Sequence, residues 1–105
     1  MVIVQGTFRV APEDRDAFLA QSVAGMVSSR EEQGCIEYVM AADPVEGDRV
    51  VLSERWASMA DLEEHLRRAA ERRGAASGTT AAVAAVTVLS REMAIYEVGA
   101  VRPLG

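Results

Sequence analysis

The sequence predicts an α+β fold: one antiparallel sheet with its helices gathered on one face. Apolar residues alternate with polar ones in several short runs, the pattern of half-buried strands. Two longer stretches between them carry apolar residues at helical spacing. A turn-rich segment, Asp43-Pro44-Val45-Glu46-Gly47-Asp48, joins two of the strand runs directly. So short a link permits only an antiparallel pairing.

The elements follow in chain order. From Val2 to Val10, the residues Val2, Val4, Phe8 and Val10 share one side of a strand, with Gly6 marking a bulge or a close approach. Pro12 suits a first helical position, and Glu13 and Asp14 complement the dipole of the first turn. Phe18, Leu19, Val23, Met26 and Val27 then form a helical stripe, stopped by Gly34. Ile36 to Ala41 reads as a second strand, and Arg49 to Trp56 as its hairpin partner. Ser58-Met59-Ala60-Asp61 matches a capping box with Asp in place of Glu. It opens a helix with Leu62, His65, Leu66 and Ala69 along one side, ending near Gly74. Residues 75–80 are expected to be a connector, 81–89 a short helix, and Met93 to Val101 a closing strand. The order βαββα, helix, β suggests a ferredoxin-like sandwich. Val4, Phe8, Tyr38, Leu52, Trp56 and Ile95 are too many to face the helices together. A second apolar sheet face is therefore expected, covered by a symmetric homodimer partner.

At 105 residues, the chain is expected to form a single domain. A formal charge of -5 speaks against nucleic-acid binding, which needs a clustered basic face. The one dense basic cluster, Arg67, Arg68, Arg72 and Arg73, is interrupted by Glu71 and reads as the exposed end of a helix. Cys35 is the sole cysteine, so no intrachain disulfide can form and a reducing compartment is expected. No signal-peptide pattern follows Met1, and no apolar run reaches the roughly 20 residues that span a bilayer. The expected location is cytoplasmic, with no membrane partner.

The chemistry concentrates at the junction of the third strand and second helix. Period-2 geometry places Leu52, Glu54 and Trp56 on one strand face, and His65, the only histidine, follows on the helix. Apolar bulk with one acid suits a pocket, whereas the same residues also suit a core with a hydrogen-bonded histidine. Glu54 equally suits a salt bridge to Arg49 or Arg55. One His, one Cys and scattered acids give no metal-binding spacing.

Gly34-Cys35-Ile36-Glu37-Tyr38, then Glu54-x-Trp56-x-Ser58 leading to Leu62 and His65, resemble the antibiotic biosynthesis monooxygenase family. Strand one and Ile95-Tyr96-Glu97-Val98 also sit where that family has strands. The resemblance implies a dimeric α+β barrel in which two sheets pack face to face, each subunit keeping a pocket between sheet and helices. It further implies a cofactor-independent monooxygenase that oxidises a quinol or polyphenolic aromatic with molecular oxygen. The expected catalytic residues are His65 as base or hydrogen-bond partner, Trp56 as the plane and N–H donor that packs and polarises substrate, and Glu54 as their orienting acid. Gln5, Thr7, Leu52 and Leu62 are candidate substrate contacts, the first two only if the odd-numbered face of strand one meets the pocket. Leu52 and Leu62 replace an Asn and a Tyr that bind substrate in aromatic oxygenases of the family, so that mode does not transfer. The haem-degrading branch has its iron-ligating His about ten residues beyond His65, where this chain has Gly74-Ala75-Ala76, which disfavours haem degradation. The rival reading is a non-catalytic, small-molecule-binding dimeric module.

Overall fold

The computed structural model describes residues 1–76 and 86–105. Strand β1 (Val2–Val10) leads through a 3-10 turn (Pro12–Asp14) into helix α1 (Arg15–Arg30). Strands β2 (Cys35–Ala42) and β3 (Arg49–Trp56) form the hairpin, followed by helix α2 (Met59–Ala76) and strand β4 (Val88–Glu97). The sheet runs β2-β3-β1-β4, and every neighbouring pair is antiparallel. This is the expected α+β, ferredoxin-like arrangement, with β1 and β3 in the centre.

Alternation along β1 and β3 produces the core. Val2, Val4, Phe8 and Val10 are buried together with Val50, Leu52 and Trp56, and Leu62 of α2 closes over them. Pairing in register puts Val2 opposite Trp56, Val4 opposite Glu54 and Phe8 opposite Val50. Glu54 is thus carried into the core by strand parity, because its neighbours at two-residue spacing are core residues. Tyr38 pairs with Glu54 and Ile95 with Val4, so both point the same way. All six apolar residues expected to divide between two faces therefore share the helix face. The opposite face carries Ile3, Gln5, Thr7, Val51 and Tyr96, and Tyr96 is half exposed.

Gly6 permits a close approach rather than a bulge. A Cβ there would overlap Glu92 O and lie 2.6 Å from Met93 Cγ, so any side chain would push β4 away. The β1–β4 register shifts further along, between Arg9 and Val10. In the hairpin, buried Asp43 accepts hydrogen bonds from the Val45 and Glu46 amides and from the Arg49 guanidinium, at 2.7, 3.3 and 2.8 Å. These donors hold its carboxyl below the usual range, the Val45 amide most of all.

The C-terminal third departs from expectation. The helix expected over 81–89 falls partly outside the described residues, and its end is not helical: residues 88 and 89 begin β4. Val88 pairs with Val10, because β1 offers an open edge along its whole length. The strand ends at Glu97 instead of Val101, since the Val98 amide bonds to Met1 O and β1 then has no further partner. Of the connector expected over 75–80, residues 75 and 76 complete α2, and 77–80 lie outside the described residues.

Candidate active site

The junction after β3 is built by two docked turns. Ser58 caps α2 as expected: its Oγ accepts the Asp61 amide at 3.1 Å and donates to the Asp61 carboxylate at 2.9 Å. The turn after α1 presses against this cap. Gly34 has φ +80°, and a Cβ on it would overlap Asp61. The Ala57 amide bonds to Gly34 O at 2.8 Å and seals the contact. This docking brings Glu32, two residues before Gly34, over the second turn of α2.

Glu32 meets His65 there. Glu32 Oε2 lies 2.7 Å from His65 Nδ1, with both side chains over nine-tenths buried. Arg72, two turns further along α2, reaches Glu32 Oε1 at 3.4 Å. On the other side of the imidazole, Nε2 lies 3.9 Å from Glu54 Oε1. The same Glu54 oxygen accepts the Trp56 indole N–H at 3.0 Å. The Trp56 and His65 rings are tilted 34° at a centroid distance of 4.7 Å, and Tyr38 flanks the imidazole at 5.5 Å. The site is one chain of groups: Trp56 and Glu54 from β3, His65 from α2, and Glu32 from the turn.

Burial dominates its electrostatics. Desolvation pushes the Glu54 carboxyl above its ordinary range, opposed by the Trp56 hydrogen bond and by His65. The Tyr38 phenol is pushed up to about 12, first by burial and then by the nearby Glu54 charge. Burial and the charges of Glu32 and Glu54 also raise the Cys35 thiol, so it is no activated nucleophile.

Two spaces flank the chain. An apolar cleft of about 230 Å³ lies between α2 and the β1–β4 side of the sheet, lined by Val4, Glu54, Leu62, Leu66, Met93, Ala94 and Ile95. Glu54 is the ionisable group in that lining. A polar pocket of about 190 Å³ lies at the other end, lined by Glu32, Gln33, Asp61, Glu64, His65 and Arg68 with Ala60. His65 faces the polar pocket, and Trp56 is fully buried with its N–H occupied by Glu54.

The expected site residues therefore separate. Glu54, Trp56 and His65 come together, and Leu62 joins Glu54 at the cleft. Leu52 is in the core under the hairpin, away from the cleft lining. Gln5 and Thr7 are on the opposite sheet face, in a broad concavity of about 760 Å³ shared with Val51, Arg91 and Tyr96. Glu32 escaped the sequence reading because 33 positions separate it from His65 and no local periodicity connects them. Its one sequence signal is its place just before Gly34, whose left-handed turn sets it against α2. Among the described residues, no three His, Cys, Asp or Glu side chains gather as a metal-binding set, and no helix is long and apolar enough to cross a membrane.

Comparison with known proteins agrees with this fold. The antibiotic biosynthesis monooxygenase family model matches residues 1–77. Protein sll1783 of Synechocystis, itself uncharacterized, is 32% identical over 66 residues, 63% of this chain and 45% of that protein. The chain thus matches less than half the length of that relative. Among solved structures, a candidate antibiotic biosynthesis monooxygenase from Deinococcus radiodurans superposes with a TM-score of 0.79 over 100% of both chains, at 22% identity. Rv0793 of Mycobacterium tuberculosis gives a TM-score of 0.66 at 25% identity, covering 99% of this chain and 95% of that one. The match to the Deinococcus protein speaks for the fold alone.

Proposed function

The chain belongs to the antibiotic biosynthesis monooxygenase family, and from that premise we propose that it is a homodimeric, cofactor-independent monooxygenase of a small quinol or polyphenolic aromatic. One observation carries the reading: a buried carboxylate, Glu54, stands in the wall of an otherwise apolar cleft, backed by an imidazole. An apolar wall suits a flat aromatic ring, and a desolvated carboxylate is a stronger base than one in water. The cleft, about 230 Å³, is smaller than the roughly 300–1,000 Å³ of drug-sized ligand sites. That size favours one or two fused rings.

Glu54 takes the phenolic proton, breaking the substrate O–H bond and leaving an electron-rich anion shielded from water. That anion reacts with dioxygen directly. One oxygen atom enters the ring carbon and the other leaves as water. The substrate supplies the two electrons and two protons of that water, so a hydroquinone ends as a hydroxyquinone. Trp56 holds Glu54 in place through its N–H, and His65 stands behind it to receive the proton. The outer sheet face, with Val51 and Tyr96 partly exposed, is the surface assigned to the second copy.

Oxygen uptake by metal-stripped protein with naphthoquinols, hydroxyquinols and anthrones tests the reading. Uptake above autoxidation that falls by about 100-fold or more in Glu54→Gln is the expected result. An unchanged rate in that variant sinks the assignment. Binding of panel members without any uptake makes the protein a binding module instead.

A further inference from the structure

We propose that Glu54, His65 and Glu32 form a proton-transfer chain connecting the apolar cleft to the polar pocket at the other end of the site, with Glu32 as its outer terminus. This rests on the reading of Glu54 as the base. The chain has one buried carboxylate at each end and one imidazole between. Glu54 lines the cleft and Glu32 lines the polar pocket, while His65 touches both acids through different ring nitrogens. A two-nitrogen ring can accept a proton on one side and release another on the opposite side.

The 2.7 Å contact to Glu32 sets the starting state. With the Nδ1–H donated to that carboxylate, Nε2 is the nitrogen directed toward Glu54. The 3.9 Å separation of Nε2 from Glu54 Oε1 is about 1 Å beyond a hydrogen bond. A rotation of the Glu54 carboxyl, or one bridging water, closes it when substrate enters. Glu54 then passes its new proton to Nε2. The Nδ1 proton moves to Glu32, the ring stays neutral, and water in the polar pocket takes the proton from Glu32. The reverse sequence returns that one proton to the product water, whose second proton comes from the substrate carbon that gains the oxygen, and resets the tautomer.

Among the described residues, other charged or titratable groups stand around the chain. Arg72 bonds Glu32 from α2, Tyr38 and Cys35 approach from β2, and Asp61, Glu64 and Arg68 surround the polar pocket. Arg72 engages Glu32 Oε1 and leaves Oε2 to His65. The Tyr38 hydroxyl, held neutral to about pH 12, does not compete for the proton.

Because His65 is the only histidine, ¹⁵N spectra of histidine-labelled protein report on it without ambiguity. The expected neutral ring has its proton on Nδ1 and a bare Nε2. Protonation of Glu54 should register at Nε2, and this response should vanish in Glu54→Gln. An Nε2–H tautomer overturns the proposal. In turnover, Glu32→Gln keeps a hydrogen-bond acceptor but removes the proton acceptor. It should lower kcat by roughly tenfold at unchanged KM, with rescue by added formate; unchanged melting and Trp56 emission confirm the fold. Full activity of Glu32→Gln beside inactive Glu54→Gln defeats the chain and leaves the oxygenase reading intact. If the wild-type protein consumes no oxygen, the oxygenase reading fails, and the tautomer of His65 alone decides the chain.

Discussion

Glu64 and His65 are neighbours on α2, yet they belong to opposite physical regimes. Glu64 faces solvent and bonds both Arg67 and Arg68, while Arg67 also bonds Glu71. Those hydrogen bonds hold its carboxyl at about 2. His65 faces inward to Glu32 and Glu54 with a side-chain exposure of 6%. The outer face has ion pairs too, but water screens each of them and the flexible side chains lose entropy in forming them. On the inner face, desolvation raises Glu54 instead of lowering it. The number of charged contacts is thus a poor guide to where a helix carries chemistry; the dielectric surroundings decide.

The contrast can be broken most severely at Trp56. Trp56→Ala removes a fully buried indole and the donor that holds Glu54, and should cost about 3–5 kcal/mol in urea denaturation. A loss below 1 kcal/mol would mean that the junction repacks freely. Next in size is Gly34→Ala, where a positive φ and an overlap with Asp61 coincide. It should destabilise by about 1–3 kcal/mol and loosen Glu32 from His65, visible as a changed His65 ¹⁵N spectrum. A wild-type spectrum in that variant would show that the turn does not position Glu32.

A smaller effect sharpens the comparison through pH. The folded state raises the Glu54 carboxyl above its ordinary value of 4.5, so the folded protein binds that proton more tightly than the unfolded chain. Its contribution to stability is full below about 4.5 and is lost as pH rises through the raised value. Glu54→Gln should remove that decline, flattening urea midpoints measured from pH 4 to 8. The same slope in both proteins would show that Glu54 is not desolvated in solution. The smallest effect is expected on the outer face, where Glu64→Gln should leave the midpoint at pH 7 unchanged within error.

Much of the fold was legible because its signals are local. Alternation along β1 and β3, the Ser58–Asp61 cap and the turn residues from Asp43 to Asp48 each act within a few positions. The C-terminal strand was less so. Val83, Val86 and Leu89 have helical spacing, but residues 88 and 89 answer to the open edge of β1, a long-range partner that propensity does not see. In the candidate site, strand parity correctly grouped Glu54 with Trp56, and helical spacing turned His65 toward the sheet. The sequence set Glu54 beside Trp56, but did not show that their hydrogen bond leaves no indole N–H for a substrate.

The sequence by itself determined the βαββαβ order, the shared strand face of Leu52, Glu54 and Trp56, and the solitary imidazole that follows them. Periodicity and capping are short-range constraints, and the chain writes them down directly. The tertiary structure alone decided that Glu32 reaches His65, that Gln5 and Thr7 lie on the far face, and that Glu54 is the acid at the cleft. Each of these depends on how separate elements dock and on which groups that docking removes from water.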